Sequence, residues 1–162
     1  MATVTKKNAH NLPDPGFGGV AYGNMFSLNF KFEVNASGIM ADSDKAAAIA
    51  ATDKVILGKL PAGMRLIDCK CIVSDTFTDT ATFDLGFEYC DGVDVTGAAE
   101  DADYFMDAGD YHDAAAILTR NEPVATITLP KDAYLILTNN TAALDAAGIM
   151  DIEIIGVMGG PA

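Results

Sequence analysis

Basic residues are scarce in this chain. Ten Lys and Arg stand against 23 Asp and Glu, a formal net charge of −13 at pH 7. Nucleic-acid binding rests on cations that neutralise phosphates, so a surface this acidic argues against nucleic acid as a partner. It also disfavours anionic membrane surfaces, while it favours solubility and would suit a basic partner. Tryptophan is absent. No apolar run approaches the ~18 residues that a membrane-spanning helix needs. No apolar core follows the charges of residues 1–7, so a signal peptide is not expected either. Histidine is limited to His10 and His112. Two isolated imidazoles are too few for a centre that gathers several His and a carboxylate around a metal.

Cysteine is sparse as well, with Cys69, Cys71 and Cys90 the full set. Cys69 and Cys71 fall two apart on one strand face, a poor geometry for bonding to each other. The Cys-Lys-Cys spacing is too short for a zinc knuckle and has no second pair to complete it. Buried free thiols in a reducing compartment are the expectation. Catalytic signatures are missing too: no Gly-x-Ser-x-Gly elbow, P-loop or dinucleotide fingerprint is present. Gly16-Phe17-Gly18-Gly19 matches a phosphate loop only in its glycines, with no strand before it and no obvious helix after it. Carboxylate pairs occur (Asp84 with Glu88, Asp101 with Asp103), but proximity in sequence does not separate a glycosidase pair from surface charge. With so many acidic residues in one small domain, chance pairs are expected. The sequence therefore predicts neither an enzyme nor a bound cofactor or metal.

What is present is alternation. Side chains on a strand point to its two faces in turn, so a period of two marks one-sided burial. Phe26, Leu28, Phe30, Phe32, Val34 and Ala36 alternate with Ser27, Asn29, Lys31, Glu33 and Asn35. Ala81, Phe83, Leu85, Phe87 and Tyr89 alternate with Thr82, Asp84, Gly86, Glu88 and Cys90. Further strands are predicted over 55–60, 64–73, 123–129, 133–139 and 149–158. Pro61-Ala62-Gly63 supplies a turn between the first two of these, Pro61 presetting φ and Gly63 permitting a positive one. Residues 133–139 are heavily apolar, with Tyr134, Leu135, Ile136 and Leu137 consecutive, as in a strand covered on both faces. Residues 114–119 suit a short strand or a helical turn. Two helical pieces are predicted, over 45–51 behind an Asp42, Ser43 or Asp44 cap and over 102–108 with Tyr104, Phe105 and Met106 turned inward. About eight short strands broken by Gly, Pro, Asn and Asp turns make an all-β chain, an antiparallel β-sandwich or barrel. At 162 residues a single domain is expected, burying roughly 70% of the unfolded surface without help from disulfides or metal.

Two segments stand outside that pattern. Residues 91–113 hold eight carboxylates and no Lys or Arg. Clustered carboxylates suit calcium, but the EF-hand spacing is missing, so a solvated acidic loop is the reading. Residues 1–24 hold Pro13, Pro15 and four glycines and little periodic hydrophobicity. They read as an N-terminal arm ahead of a β-sandwich domain at 25–162, unable to fold alone. The arm's candidate partner-binding residues are Lys6, Lys7, Phe17 and Tyr22, the aromatics because they carry disproportionate energy at contact surfaces.

Leu57 to Gly63, Phe83 to Gly92 and Ala102 to Asp107, about the middle third of the chain, resemble tailed-bacteriophage structural proteins. More narrowly they are similar to the jelly-roll decoration (cement) proteins of phage heads. The resemblance rests on strand and turn vocabulary. It implies a jelly-roll β-sandwich that oligomerises on the capsid exterior after assembly in the host cytoplasm and stabilises the shell. Its implied partners are the major capsid protein and further copies of itself, as a trimer ahead of a dimer, with no nucleic acid and no membrane. A virion head fibre or a carbohydrate-adhesive knob, displaying aromatics such as Tyr104 or Tyr111, is the alternative. A small hydrolase with converging carboxylates is a third.

Overall fold

Period-two alternation becomes extended backbone throughout the computed structural model, which describes residues 2–5, 25–77, 80–110 and 116–158. The strands are β1 (Thr3–Thr5), β2 (Met25–Val34), β3 (Lys54–Leu60), β4 (Met64–Asp75), β5 (Thr82–Tyr89), β6 (Asp101–Asp110), β7 (Ile117–Thr119), β8 (Ala133–Asn139) and β9 (Gly148–Met158). They form two sheets, ordered β1-β3-β8-β5-β6 and β2-β9-β4-β7. Apart from β1 the pairing is antiparallel.

The order is that of a jelly roll. β5 and β6 form a hairpin, and β4 with β7, β3 with β8 and β2 with β9 pair outward from it in nested fashion. Folding that long hairpin over places alternate nested pairs in opposite sheets, which is the double Greek key. The expected sandwich is thus realised.

The inner faces carry the side chains that the alternation marks. Leu28, Phe30, Phe32 and Val34 of β2 and Phe83, Leu85, Phe87 and Tyr89 of β5 are all buried. Cys69 and Cys71 of β4 are buried and free, and Cys90 is half-buried and free. β8 is covered on both faces, with Leu135 and Leu137 in the main core and Ile136 packed against Ile56 and Tyr134 on the outside. Gly63, at φ 80°, closes the tight turn between β3 and β4, and Met64 N–H donates to the Pro61 carbonyl.

Phe77 belongs to the segment between β4 and β5, yet it enters the core. It stacks on Phe32 at 5.3 Å and meets Phe83 edge-on at 5.4 Å. Gly148 leaves it room, because a Cβ there would lie 2.3 Å from its ring.

Several local expectations are corrected. Residues 102–108 are strand, not helix. From Phe87–Asp101 to Leu85–Met106 the ladder advances five residues on β6 against two on β5. The surplus bulges, and the bulge lets the consecutive Tyr104, Phe105 and Met106 all be buried. Residues 45–51 are not helical either. Ile49 is pinned into the core, its N–H donating to Gly38 and its carbonyl accepting from Leu144, and seven residues are too few to hold a helix against that anchoring. Residues 123–129 make one bridge, Thr128 with Arg65, in place of a strand. The Tyr104 hydroxyl donates to the Ala125 carbonyl and accepts from Ile127 N–H, taking two groups a ladder would use. Of residues 114–119, Ile117–Thr119 is strand.

Candidate interaction surface

The ends of the sandwich are fastened by loop-to-loop contacts. At one end, Asn139 Nδ2 donates to the Ala50 and Ala142 carbonyls at 3.0 and 2.6 Å. At the other end Asp132 is the hub. Its Oδ1 accepts from Ala62 N–H and its Oδ2 pairs with Lys59. These contacts hold its carboxyl below the usual range, the Lys59 hydrogen bond first. Lys131 bridges to Asp91 and lies over the Tyr89 ring at 4.6 Å, and this pairing lowers the Asp91 carboxyl too.

Among the described residues the acidic stretch is loop only over 91–100, since 101–110 is β6 and not the expected solvated loop, and its loop carboxylates serve that loop. Asp94 Oδ1 accepts from the N–H groups of Val95 and Glu100, and Glu100 accepts from Tyr89 N–H. Among the described residues no group of three or more His, Cys, Asp or Glu is placed to hold a metal.

The two carboxylate pairs behave differently. Asp84 accepts from Asn140 Nδ2 and Ala108 N–H, while Glu88 pairs with Lys54. They have separate partners and do not form a dyad. Asp101 and Asp103 interact directly. Burial first, then the Asp103 carboxyl, pushes Asp101 up to about 6.

The sign of its effect on stability follows. A carboxyl raised in the folded state binds its proton more tightly there than in the unfolded chain. Its contribution is complete below the ordinary carboxylate range and is lost as pH rises through about 6. Asp91 and Asp132 act oppositely, contributing above that range and fading as pH falls. Asp101→Asn should therefore leave the melting temperature nearly unchanged at pH 4 and raise it increasingly towards pH 7. A difference from the parent that does not vary with pH would contradict this origin.

The outer face of the smaller sheet has a different character. Ile72 of β4 and Ile117 of β7 are register partners, 38% and 61% exposed. Asp151 of β9 faces Ile72 from the other side, and Lys31 of β2 faces Asp151. A row of lysine, aspartate and two isoleucines thus crosses the sheet. Two neighbouring isoleucines facing water are poorly placed for an isolated surface and well placed for contact with another protein. The signal in sequence is an isoleucine between the inward Cys71 and Val73, on the phase that alternation assigns to solvent.

A second feature lies at the sheet edge, where β1 runs parallel to β3 with Thr3 beside Lys54 and Thr5 beside Ile56. Ala2 N–H donates to Asp53 Oδ1 at 2.9 Å and Lys54 N–H to the Ala2 carbonyl at 3.2 Å. Thr5 N–H donates to Asp44 Oδ1, and Asp44 N–H returns a bond to the Thr5 carbonyl, both at 3.0 Å. Val4 is buried. The sequence gives no periodic warning of so short a strand, nor of the part played by Asp44 and Asp53.

Lys6, Lys7, Phe17 and Tyr22 lie outside the described residues, as do His10, Tyr111 and His112. Tyr104 is buried beneath Arg120, whose guanidinium lies 4.6 Å from its ring centre, and is no exposed platform for a sugar.

No protein-family model matches the chain, and no curated protein matches it. Solved structures do. A chain in the capsid of Ralstonia phage GP4 superposes with a TM-score of 0.68 at 15% identity, covering 99% of this chain and 100% of that one. A chain in the capsid asymmetric unit of cyanophage Pam1 superposes with a TM-score of 0.61 at 13% identity, covering 92% and 94%. At such identities the likeness establishes the shared fold.

Proposed function

We propose that this chain is a structural protein of a bacteriophage virion. In this reading it is a decoration, or cement, protein that binds the outside of the capsid and stabilises the shell by protein–protein contacts. The observation that carries the reading is the end-to-end superposition on a chain of the Ralstonia phage GP4 capsid, 99% of one chain on 100% of the other. A jelly roll that matches from end to end has the same extent as a component of a phage shell. Two features on this chain's own surface support a contact role: the Ile72–Ile117 pair and the carboxylates taken up by loop closure. The partners in this reading are the major capsid protein and further copies of the same chain.

The test is direct. Purified protein is mixed with heads lacking any decoration and sedimented. It should travel with the heads and raise the temperature at which they release their contents. Ile117→Asp, at an exposed position, should leave folding intact and weaken association with heads or with other copies at least tenfold, about 1.4 kcal/mol. Heads that sediment without the parent protein would remove the cement reading.

A further inference from the structure

We propose that the loop tip at Val93 of one copy docks on the outer face of the smaller sheet of the next copy, along β4 from Arg65 to Ile72. The proposal rests on the assembly reading and names the contact that joins copies of this chain.

The receiving strip is unlike the rest of the described surface. Two copies that each carry −13 repel, so a contact between them has to set cations of one against carboxylates of the other. Lys31, Lys54, Lys59 and Lys131 are already paired with carboxylates of their own chain. Among the described residues Arg65, Lys70 and Arg120 are paired with none, and Lys45 is the one other described cation in that state. Arg65 directs its guanidinium to the Thr126 hydroxyl, and Arg120 to the Ile67 and Val124 carbonyls. Glu153 faces Lys70 across the ladder without bridging to it, and Asp68 turns Oδ1 to Cys69 N–H. Apolar side chains gather in the same place. Ile72, Ile117 and Val124 are three of the five large apolar residues exposed among those described. From Arg65 to Ile72 along β4 the strip is about 20 Å long at strand rise.

The loop between β5 and β6 offers the converse. In Asp91-Gly92-Val93-Asp94 an apolar side chain, 60% exposed, stands between carboxylates. The tip is shaped before any partner arrives. Val93 N–H donates to Asp91 Oδ1, the Val93 carbonyl accepts from Lys131, and Asp94 Oδ1 accepts from Val95 and Glu100 N–H. A preformed tip loses little conformational freedom on docking. An apolar residue flanked by acids matches a strip of isoleucines flanked by cations. Arginine is also among the residues that carry most of the energy at such contacts.

The two surfaces lie on adjoining sides of the molecule. Lys131 and Asp132 tie the loop to the β3–β4 turn, and Arg65 follows that turn on β4. A contact between two different surfaces is head-to-tail, and it makes a ring when the rotation from copy to copy closes. Surfaces on adjoining sides turn each copy relative to the last, which favours a small ring over a filament.

The experiment uses the full-length chain with a benzoylphenylalanine photo-crosslinker in place of Val93, and light scattering on the same sample. An adduct of twice the chain mass joins two copies, and its peptides should map to residues 65–72 or 117–126 of the second copy. Val93→Asp, at an exposed position, should keep the parent circular dichroism and raise the dissociation constant between copies at least tenfold. An oligomer whose adducts map elsewhere, stay within one chain or do not form would overturn this contact and leave assembly standing. So would an unchanged dissociation constant in Val93→Asp. A monomer at every concentration would also overturn the contact, while sedimentation of the parent with undecorated heads reads the cement role separately.

Discussion

Phe77→Ala is expected to destabilise the protein by about 3–5 kcal/mol, the range for removing a fully buried aromatic side chain. For a domain of this size that is a fall of about 6–20 °C in melting temperature. The position is unusual, because it lies between strands where substitutions are ordinarily tolerated. Phe77 closes one end of the sandwich and is shared by both sheets, through Phe32 of β2 and Phe83 of β5. Those two rings also meet each other at 5.7 Å, so the three form a closed triangle. Removing one member leaves two rings facing a void that rigid strands cannot close, and the cavity adds to the lost transfer energy. Gly148 sharpens the test. Its Cβ is excluded by the Phe77 ring, so adding Gly148→Ala to Phe77→Ala should return part of the loss. Denaturant midpoints of the parent, both single variants and the double variant measure this. A Phe77→Ala midpoint within experimental error of the parent would mean the ring is not a core residue.

What the sequence displays depends on whether burial leaves a period. β2 and β5 are legible because each shows one face to the core along its whole length. β8 is legible for the opposite reason, its run of Tyr134, Leu135, Ile136 and Leu137 requiring cover on both sides, which Ile56 supplies on the outer face. Phe77 is not legible. It sits among Ser74, Asp75, Thr76 and Thr80, and one inward residue from a connecting segment has no period. Tyr104, Phe105 and Met106 mislead in another way. Three consecutive buried residues leave no period of two, so both a short helix over 102–108 and a bulged strand accommodate them, and the choice is made by β5 across the ladder, a contact distant in sequence. The same holds for β1, whose three residues gain their place from Asp44, Asp53 and the edge of β3. The surface pair is partly visible. Ile72 breaks the polar phase of its strand, but its neighbour Ile117 is named only by the pairing of β4 with β7.

Gly86→Ala is the second substitution with a large expected effect, and a single methyl group carries it. A Cβ on Gly86 would lie 2.1 Å from the Asp101 carbonyl oxygen and 2.3 Å from the Ala102 carbonyl carbon. Both atoms are backbone, so no rotamer change relieves the clash, and the start of β6 must move as a unit. That movement pulls on the Phe87–Asp101 pairing and on the Glu100 carboxylate that holds Tyr89 N–H. It also disturbs Tyr104, which packs edge-on against Phe87 at 5.5 Å and anchors residues 125–127. Overpacking of this kind costs about 1–3 kcal/mol and occasionally more. The upper end is expected here, because the obstacle is main chain. Gly92→Ala provides the comparison. Gly92 has φ 67° with nothing near its missing Cβ, so alanine there bears only the left-handed backbone penalty of about 1–2 kcal/mol. Near-UV circular dichroism separates the two. Gly86→Ala should lose tyrosine signal as the Tyr104 cluster shifts, while Gly92→Ala should keep the parent spectrum. Equal midpoints with unchanged spectra would show that β6 yields freely at this crossing, and that the bulge is not fixed by the missing side chain.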